Sequence, residues 1–547
     1  MSEPAAARVI MLQGTASHAG KTVLAAALCR IYARRGYAVA PFKAQNMALN
    51  SAVTAAGDEM GRAQVYQAEA AGVEPHVDMN PVLLKPSSGS ESQVVVMGRP
   101  VGQMSVAAYH AYQAEVWPVV TAALARLRAA SELVVIEGAG SSAEINLRDS
   151  DIVNMKVARH ARSPVLLVGD IDRGGVFAAL VGHMELFSPR ERALVRGFVV
   201  NKFRGDVAHL DSGLTFLEER TGVPTLGVVP FLEGWRGDEE DSLALDARPS
   251  GDSGAPLRVA VVRLPYLSNT TDFEALAAEP DVAVDFVSSP AGLQGAAAIV
   301  LPGTKSTVAD LAWLRERGLA AALAQAVAAG VPAIGICGGY QMLGRRILDP
   351  DGIESGVGET AGLGLLDVET TFGGEKRTVR VVGEASGAAL AGAGTALRGY
   401  EIHLGRTSAA PGVRPLACLR AAARGGATHA DAAGSGPDRT GAADGATHPD
   451  GAVSAEGPAH PDGAVSADGR VCGTYLHGLF DEAAFRAAFL NRLRAAAGLP
   501  ARPPAVYGSE IERLADHVEA HLDMARLDAI VGLARHIREG PASWPAR

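Results

Sequence analysis

Two segments of the chain place residue types in an order that chemistry can use. The first is Gly14-Thr-Ala-Ser-His-Ala-Gly20-Lys21-Thr22, which follows a short apolar run and precedes a helical stretch from Val23 to Arg35. A nucleoside triphosphate needs inward-pointing backbone N–H groups, a lysine for the β/γ oxygens, a hydroxyl for Mg²⁺ and a helix N-terminus behind them, and this segment offers all four. Gly14, Thr15, Gly20, Lys21 and Thr22 are the candidate nucleotide-binding residues, in a loop one residue longer than the common G-x-x-x-x-G-K-[ST] spacing. The second segment is Gly335-Ile-Cys337-Gly-Gly339, a cysteine framed by glycines after an apolar run. A strained strand-to-helix turn of this kind lifts a nucleophile out of a sheet, and the helix N-terminus behind it favours the thiolate. Cys337 is the candidate nucleophile.

Both centres need companions. Leu133-Val-Val-Ile-Glu137 reads as a buried strand ending in a carboxylate, which with Thr22 can hold Mg²⁺ or, more plainly, cap the next turn. Asn201 ends another strand, where it can meet the edge of adenine or simply occupy a turn. Asp170, Asp172 and Arg173 sit between glycines on the face where open parallel sheets bind ligands, and they suit Mg²⁺ with a substrate carboxylate. Lys43, Gln45 and Asn46 are expected to add a cation and amides at the same rim. The thiolate requires a base, for which His477 in Gly473-Thr-Tyr-Leu-His477-Gly478 comes first and His403 second. The N–H groups of Gly303 and Gly338 are the candidate oxyanion donors.

The elements that must position these groups follow from the apolar pattern. Runs at 9–12, 133–136, 165–168 and 197–200 lack polar alternation and read as strands buried on both faces, separated by helical stretches. A second series begins at Arg258 and continues through Ala298-Ile-Val-Leu and Pro332-Ala-Ile-Gly-Ile, so the fold class is α/β with two parallel-sheet domains. The expected boundaries are a first domain over 1–235, an acidic linker over 236–257, a second domain over 258–495 and a helical tail over 496–547. Within the second domain, 424–468 is almost wholly small and polar, and the octapeptide at His448 recurs at His460. It offers nothing large to bury and is expected to be a disordered insertion, with His429, His448 and His460 as solvated repeat residues.

Composition narrows the function classes. The 547 residues are 48% hydrophobic and 20% charged, enough for large cores. Lys plus Arg total 50 against 60 for Asp plus Glu, a net charge of −10, so no basic footprint for nucleic acid exists. The four cysteines are scattered with no C-x-x-C pair, which indicates neither a disulfide framework nor a zinc site and suits a reducing cytoplasm. The N-terminus lacks a secretory pattern, and no apolar stretch reaches the ~18 residues a membrane span needs. Homo-oligomerisation is left open.

The loop Gln13 to Thr22, the segments Lys43-Ala-Gln-Asn-Met-Ala-Leu-Asn-Ser51 and Met79-Asn-Pro-Val-Leu-Leu-Lys-Pro86, the run Gly169 to Gly175 and the cysteine elbow together resemble the adenosylcobyric acid synthases. These are glutamine-hydrolysing amidases of cobalamin biosynthesis. The resemblance covers nearly the whole chain apart from the linker and the insertion. It implies an N-terminal P-loop NTPase domain similar to dethiobiotin synthetase and a C-terminal class I-type glutamine amidotransferase domain with a flavodoxin-like parallel sheet. It further implies ATP and Mg²⁺, glutamine and a corrinoid as small-molecule substrates, and amidation of the b, d, e and g side chains of adenosylcobyrinic acid a,c-diamide. Amidotransferases at large carry a glutamate two residues after the histidine, where this chain has Leu479. Either Cys337 and His477 work as a dyad, or another carboxylate such as Glu401 orients the imidazole. The competing readings are the sister enzyme, cobyrinic acid a,c-diamide synthase, and a ParA/MinD-like ATPase switch, which leaves the framed Cys337 unexplained.

Overall fold

The computed structural model describes residues 7–87, 91–148, 151–235, 254–387, 390–423, 455–505 and 510–533. The apolar runs of the first half become strands of one six-stranded sheet, ordered Thr225–Pro230, Val195–Phe203, Val165–Asp170, Arg8–Gly14, Leu133–Ser141, Val39–Phe42. Every pairing in it is parallel. Successive side chains point to opposite faces, so Val9, Met11, Val134 and Ile136 feed one core while Ile10, Leu12, Leu133 and Val135 feed another. Both faces are covered, which is why the runs show no polar alternation.

The second half builds a similar sheet, ordered Val282–Val287, Leu257–Val262, Ala298–Leu301, Ala333–Ile336, Val471–Thr474 and Ala464–Val465, parallel except at the last pair. Ala333–Ile336 and Val471–Thr474 lie side by side in register, so the chain leaves both strands at the same edge. An antiparallel sheet flanks that edge, ordered Ala455–Asp462, Ala417–Ala422, Arg377–Ala385, Ala396–His403, Leu476–His477.

Residues 455–468 therefore correct the expectation of disorder. Ala455–Asp462 pairs antiparallel with Ala417–Ala422, and Ala464–Val465 pairs with Val471–Thr474. Ladder hydrogen bonds need no large side chains, so small residues without apolar alternation can still form a strand when a neighbour supplies the partner backbone. Asp462 pins the strand by accepting from the Thr474 hydroxyl and from the Tyr475 N–H at 3.1 Å. His460 is likewise not a solvated repeat residue, since it pairs with buried Glu401 at 3.3 Å. His429, His448 and most of the linker lie outside the described residues.

The described part of the tail forms helices Glu510–His521 and Met524–Val531, which return to the first domain. Leu514, Ala515, Val518, Leu527 and Val531 complete the core that Ile10 and Leu12 begin. Charges frame the contact: Arg34 pairs with Asp516 and Glu519, and Arg35 with Glu519 and Asp528. Leu514 is 2% exposed. Leu514→Ala should cost the first domain about 2–5 kcal/mol, read as faster amide exchange through helix Lys21–Arg34 with strand Ala333–Ile336 unaffected. Unaltered exchange in that helix would show that the tail does not stabilise it.

Candidate active sites

Strand Arg8–Gly14 runs into the phosphate loop, and helix Lys21–Arg34 starts directly behind Gly20, whose φ is +92°. A Cβ on Gly20 would lie 2.1 Å from the Asn201 amide nitrogen, so only glycine lets the loop meet that strand end. Asn201 Nδ2 donates to the Ala19 carbonyl at 2.9 Å, and Lys202 Nζ donates to the His18 carbonyl at 2.6 Å. Together they brace the loop from below. Lys21 Nζ donates to the Ala16 and Gly140 carbonyls, both at 3.1 Å, where phosphate oxygens can replace those acceptors.

Glu137 is fully buried behind the loop. It accepts from Thr22 Oγ1 at 2.7 Å, Lys43 Nζ at 2.9 Å and Gln67 Nε2 at 2.6 Å. Burial alone pushes its carboxyl up, but the Lys43 ammonium, followed by hydrogen bonds from Gln67, Lys43 and Thr22, holds it below the usual carboxylate range. A hydroxyl and a carboxylate at the end of a phosphate loop fit Mg²⁺, which takes few protein oxygens and completes its shell with phosphates and water. Among the described residues no group of three or more His, Cys, Asp or Glu could hold a metal unaided. Lys43, expected at the rim, is instead fully buried under Glu137. Its charge is committed to compensating that carboxylate, because an unpaired buried carboxylate is costly.

Gln45 and Asn46 do line a cavity, of about 910 Å³, beside the phosphate loop. Ser17, His18 and Lys21 of the loop line it, together with the apolar Met47, Met104, Ile145 and Leu147 and the cations Arg148, Lys156 and Arg159. Pro265, from the second half of the chain, also reaches it. The volume lies near the upper end of the roughly 300–1,000 Å³ usual for small-molecule sites and suits a large, partly apolar anion. Asp170, Asp172 and Arg173 do not line it. Asp170 lies 3.3 Å from Lys202 and 3.8 Å from Arg173, while Asp172 pairs with Arg204 at 3.1 Å on the surface.

At the second centre Cys337 has φ +50° and ψ −110°, a conformation that L residues rarely adopt. Its neighbours must be glycine: a Cβ on Gly339 would lie 1.9 Å from the Leu301 carbonyl oxygen, and one on Gly338 2.6 Å from Thr304. The Cys337 N–H is tied to the Thr474 carbonyl at 2.8 Å. His477, in the short strand Leu476–His477 just past Val471–Thr474, is 1% exposed and bonds through Nδ1 to Asp272 Oδ2 at 2.8 Å. Asp272 Oδ1 accepts the Gly478 N–H at 2.9 Å, which locks the carboxylate to the backbone beside the imidazole. Burial pushes the imidazole pKa down; the Asp272 carboxylate, and then Cys337, outweigh it and raise it to about 10. The stability this pair lends is complete below the ordinary value of 6.5 and is lost as pH climbs towards about 10.

Asp272 is the residue that sequence reasoning missed. Its signal was Ser268-Asn-Thr-Thr-Asp272, a polar run just past strand Leu257–Val262, on the edge where parallel sheets bind ligands. Glu401, the alternative orienting carboxylate, belongs to another pair, with Arg377 and His460. His403 stacks on Tyr475 at 3.7 Å between ring centroids, and burial holds its pKa down to about 4. It stays neutral, which leaves His477 as the charged imidazole beside the cysteine. Gly303 borders the same imidazole, since a Cβ there would lie 3.1 Å from His477 Cε1, and Gly338 opens the helix behind Cys337. Both candidate oxyanion donors are thus at the site.

Residues 10–242 match the family of CobQ/CobB/MinD/ParA nucleotide binding domains, and residues 258–443 match the CobB/CobQ-like glutamine amidotransferase domains. A cobyric acid synthase of Desulforudis audaxviator is 50% identical over 534 residues, covering 96% of this chain and 100% of its own length. One of Sorangium cellulosum is 51% identical over 549 residues, covering 97% and 99%. One of Pelotomaculum thermopropionicum is 48% identical over 541 residues, covering 96% and 97%.

If Asp272 supplies the counter-charge, Asp272→Ala should move the His477 titration down from about 10 towards 6.5, as read by NMR of the imidazole. Alkylation of Cys337 at neutral pH should slow in parallel, because less imidazolium is left to stabilise the thiolate. An unmoved titration would remove Asp272 from the site's electrostatics.

Proposed function

The chain belongs to the cobyric acid synthase family, and from that premise we propose how its two centres divide the reaction. The enzyme is an ATP-dependent ligase of cobalamin biosynthesis that takes its amide nitrogen from glutamine. In the second half, the Cys337 thiolate attacks the side-chain amide carbon of glutamine, and the oxyanion is held by the N–H groups of Gly303 and Gly338. The His477 imidazolium gives its proton to the departing nitrogen, so ammonia leaves and a thioester remains. Water, deprotonated by His477, then releases glutamate and restores the thiol. Asp272 keeps the imidazole aimed at sulfur throughout.

In the first half, a corrinoid carboxylate attacks the γ-phosphorus of ATP, ADP departs and an acyl phosphate forms. Ammonia displaces phosphate from it to give the amide. Lys21 meets the phosphate oxygens, and the loop residues Gly14, Thr15 and Gly20 set the frame around them. Mg²⁺, which Thr22 and Glu137 would hold, supplies charge neutralisation on the phosphates when bound. Asn201 carries the acceptor that an adenine amino group needs. Gln45 and Asn46 on the cavity wall contact the corrinoid, whose carboxylates find cations in Arg148, Lys156 and Arg159. Asp172 and Arg173, exposed outside that cavity, and Asp170 between Lys202 and Arg173 are the further substrate-binding candidates. The b, d, e and g carboxylates of adenosylcobyrinic acid a,c-diamide are amidated in turn, each with one ATP and one glutamine.

The observation that carries this reading is the buried Cys337–His477–Asp272 alignment in the same chain as a phosphate loop that opens on a cavity of about 910 Å³. A nucleotide-controlled switch has no use for the first. The sister diamide synthase falls behind because the full-length relatives are cobyric acid synthases. Among the described residues no helix is long and apolar enough to cross a membrane. We place the enzyme in the cytoplasm, acting on small molecules rather than nucleic acid.

Cys337→Ala should abolish glutamine-dependent amidation and spare amidation driven by added ammonium, with the corrinoid followed by mass spectrometry. Lys21→Ala should stop both. Loss of both in the cysteine variant would contradict separate ammonia production, and normal turnover in the lysine variant would contradict the phosphate-loop assignment.

A further inference from the structure

Five consecutive residues, Gln45 to Leu49, line the cavity, and the two that follow them bond to Thr270 and Asn269 of the other half, the second of which contacts His477. Ser51 N–H donates to Asn269 Oδ1 at 3.0 Å, and Asn269 Nδ2 stands 3.2 Å from both nitrogens of the His477 ring. An atom equidistant from the two lies over the ring rather than in line with either lone pair. Asn50 fastens the same junction: its Oδ1 accepts the Thr270 N–H at 3.1 Å, and its Nδ2 donates to Thr270 Oγ1 at 3.2 Å.

The orientation of the Asn269 carboxamide is not arbitrary. A carboxamide has one accepting and one donating end, and the Ser51 N–H can be met only by the oxygen, so the NH₂ is turned to the imidazole. Asn269 itself has φ +55°, the left-handed conformation, and its side chain meets Ser51 of the first half. A second group repeats the arrangement, since Tyr400 stacks on His477 at 5.3 Å and 18° and packs against the core of the first domain. Nearby, Lys376 of the second half pairs with Glu59 of the first, which also holds Lys85 at 2.7 Å.

We propose that Asn269 is a positioning residue for His477, oriented by the backbone of Ser51, so that the segment walling the corrinoid cavity governs the glutamine-hydrolysing centre. This rests on the division of labour proposed above and extends it. An NH₂ over the ring disfavours the imidazolium that Asp272 favours, and the balance leaves the imidazole able both to give and to take a proton. Filling the cavity presses on residues 45–49 and hence on the Asn50–Ser51 junction. By linkage, whatever corrinoid binding does to the histidine centre, glutamine binding does to corrinoid affinity. The charged and titratable groups facing His477 are Asp272 from the turn Thr270–Phe273, Cys337 from the elbow, and Tyr400 and His403 from strand Ala396–His403, with Lys376 facing Cys337.

The full-length enzyme tests this with glutamate release and corrinoid amidation measured side by side, with glutamine or ammonium, and with or without corrinoid a,c-diamide plus ATP. Asn269→Gly keeps the left-handed backbone and removes the carboxamide. It should lower kcat with glutamine by about tenfold or more, leave the KM for glutamine nearly unchanged and leave ammonium-driven amidation intact. Asn269→Asp retains the acceptor for Ser51 but turns an oxygen to the ring, which should shift the pH profile of glutamine hydrolysis upward. Asn50→Ala touches neither the cavity nor the histidine; it should preserve basal hydrolysis while reducing its stimulation by corrinoid and ATP. Equal loss of the glutamine and ammonium reactions in Asn269→Gly would mark a merely structural role and overturn the proposal, as would full stimulation in Asn50→Ala. A parent enzyme indifferent to corrinoid overturns the coupling alone, whereas a parent that hydrolyses no glutamine overturns the underlying reading as well.

Discussion

An imidazole shut away from water can do acid–base work only if something else balances its charge, and in this enzyme that balance is the contact between His477 and Asp272. The pair is almost fully buried, so the Coulombic attraction is little screened and the desolvation cost is large. Removing either partner leaves a stranded charge or a neutral ring of unspecified orientation. The Gly478 N–H bonded to Asp272 and the tie from Cys337 N–H to the Thr474 carbonyl both serve to hold that geometry. The strained elbow at Cys337 is sustained by glycines that let the backbone pass against Leu301 and Thr304.

Both centres obey the same architectural rule. Parallel strands deliver their C-terminal ends to one edge, and ligands gather there because helix N-termini and free loop backbone do too. In the first domain that edge presents the loop after Gly14, Glu137 and the Asn201–Lys202 brace. In the second it presents Asp272, Gly303, Cys337 and, after strand Val471–Thr474, His477. The chain then binds its two halves together twice, once through the Asn50–Ser51 junction and once through the tail helices that return to the first domain. The tail is thus part of the synthase core, although it follows the amidotransferase in sequence.

Local features were legible in the sequence. The apolar runs gave the strands of both parallel sheets, and the glycine frames around Lys21 and Cys337 marked the two turns, because strain and close backbone approach demand glycine whatever the rest of the fold does. Long-range partners were not. Asp272 is an ordinary-looking acid far from His477 in the chain, and only the completed sheet brings them together. Lys43 looked like a rim cation because its neighbours Gln45 and Asn46 are at the rim, yet it turns inward to Glu137. Residues 455–468 looked structureless because their side chains are small, whereas their order comes from the backbone of a neighbouring strand.

The cysteines offer a direct trial of the central claim, that Cys337 with His477 and Asp272 breaks the glutamine amide. Cys29 and Cys472 are fully buried, which pushes both thiols up, the latter to about 12, so neither is a nucleophile. Cys418 is exposed and lies outside the site. Acid-quenched enzyme turning over glutamine, digested and examined by mass spectrometry, should carry a γ-glutamyl thioester on the peptide containing Cys337. An adduct on the Cys418 peptide, or none while glutamate still accumulates, would contradict the account.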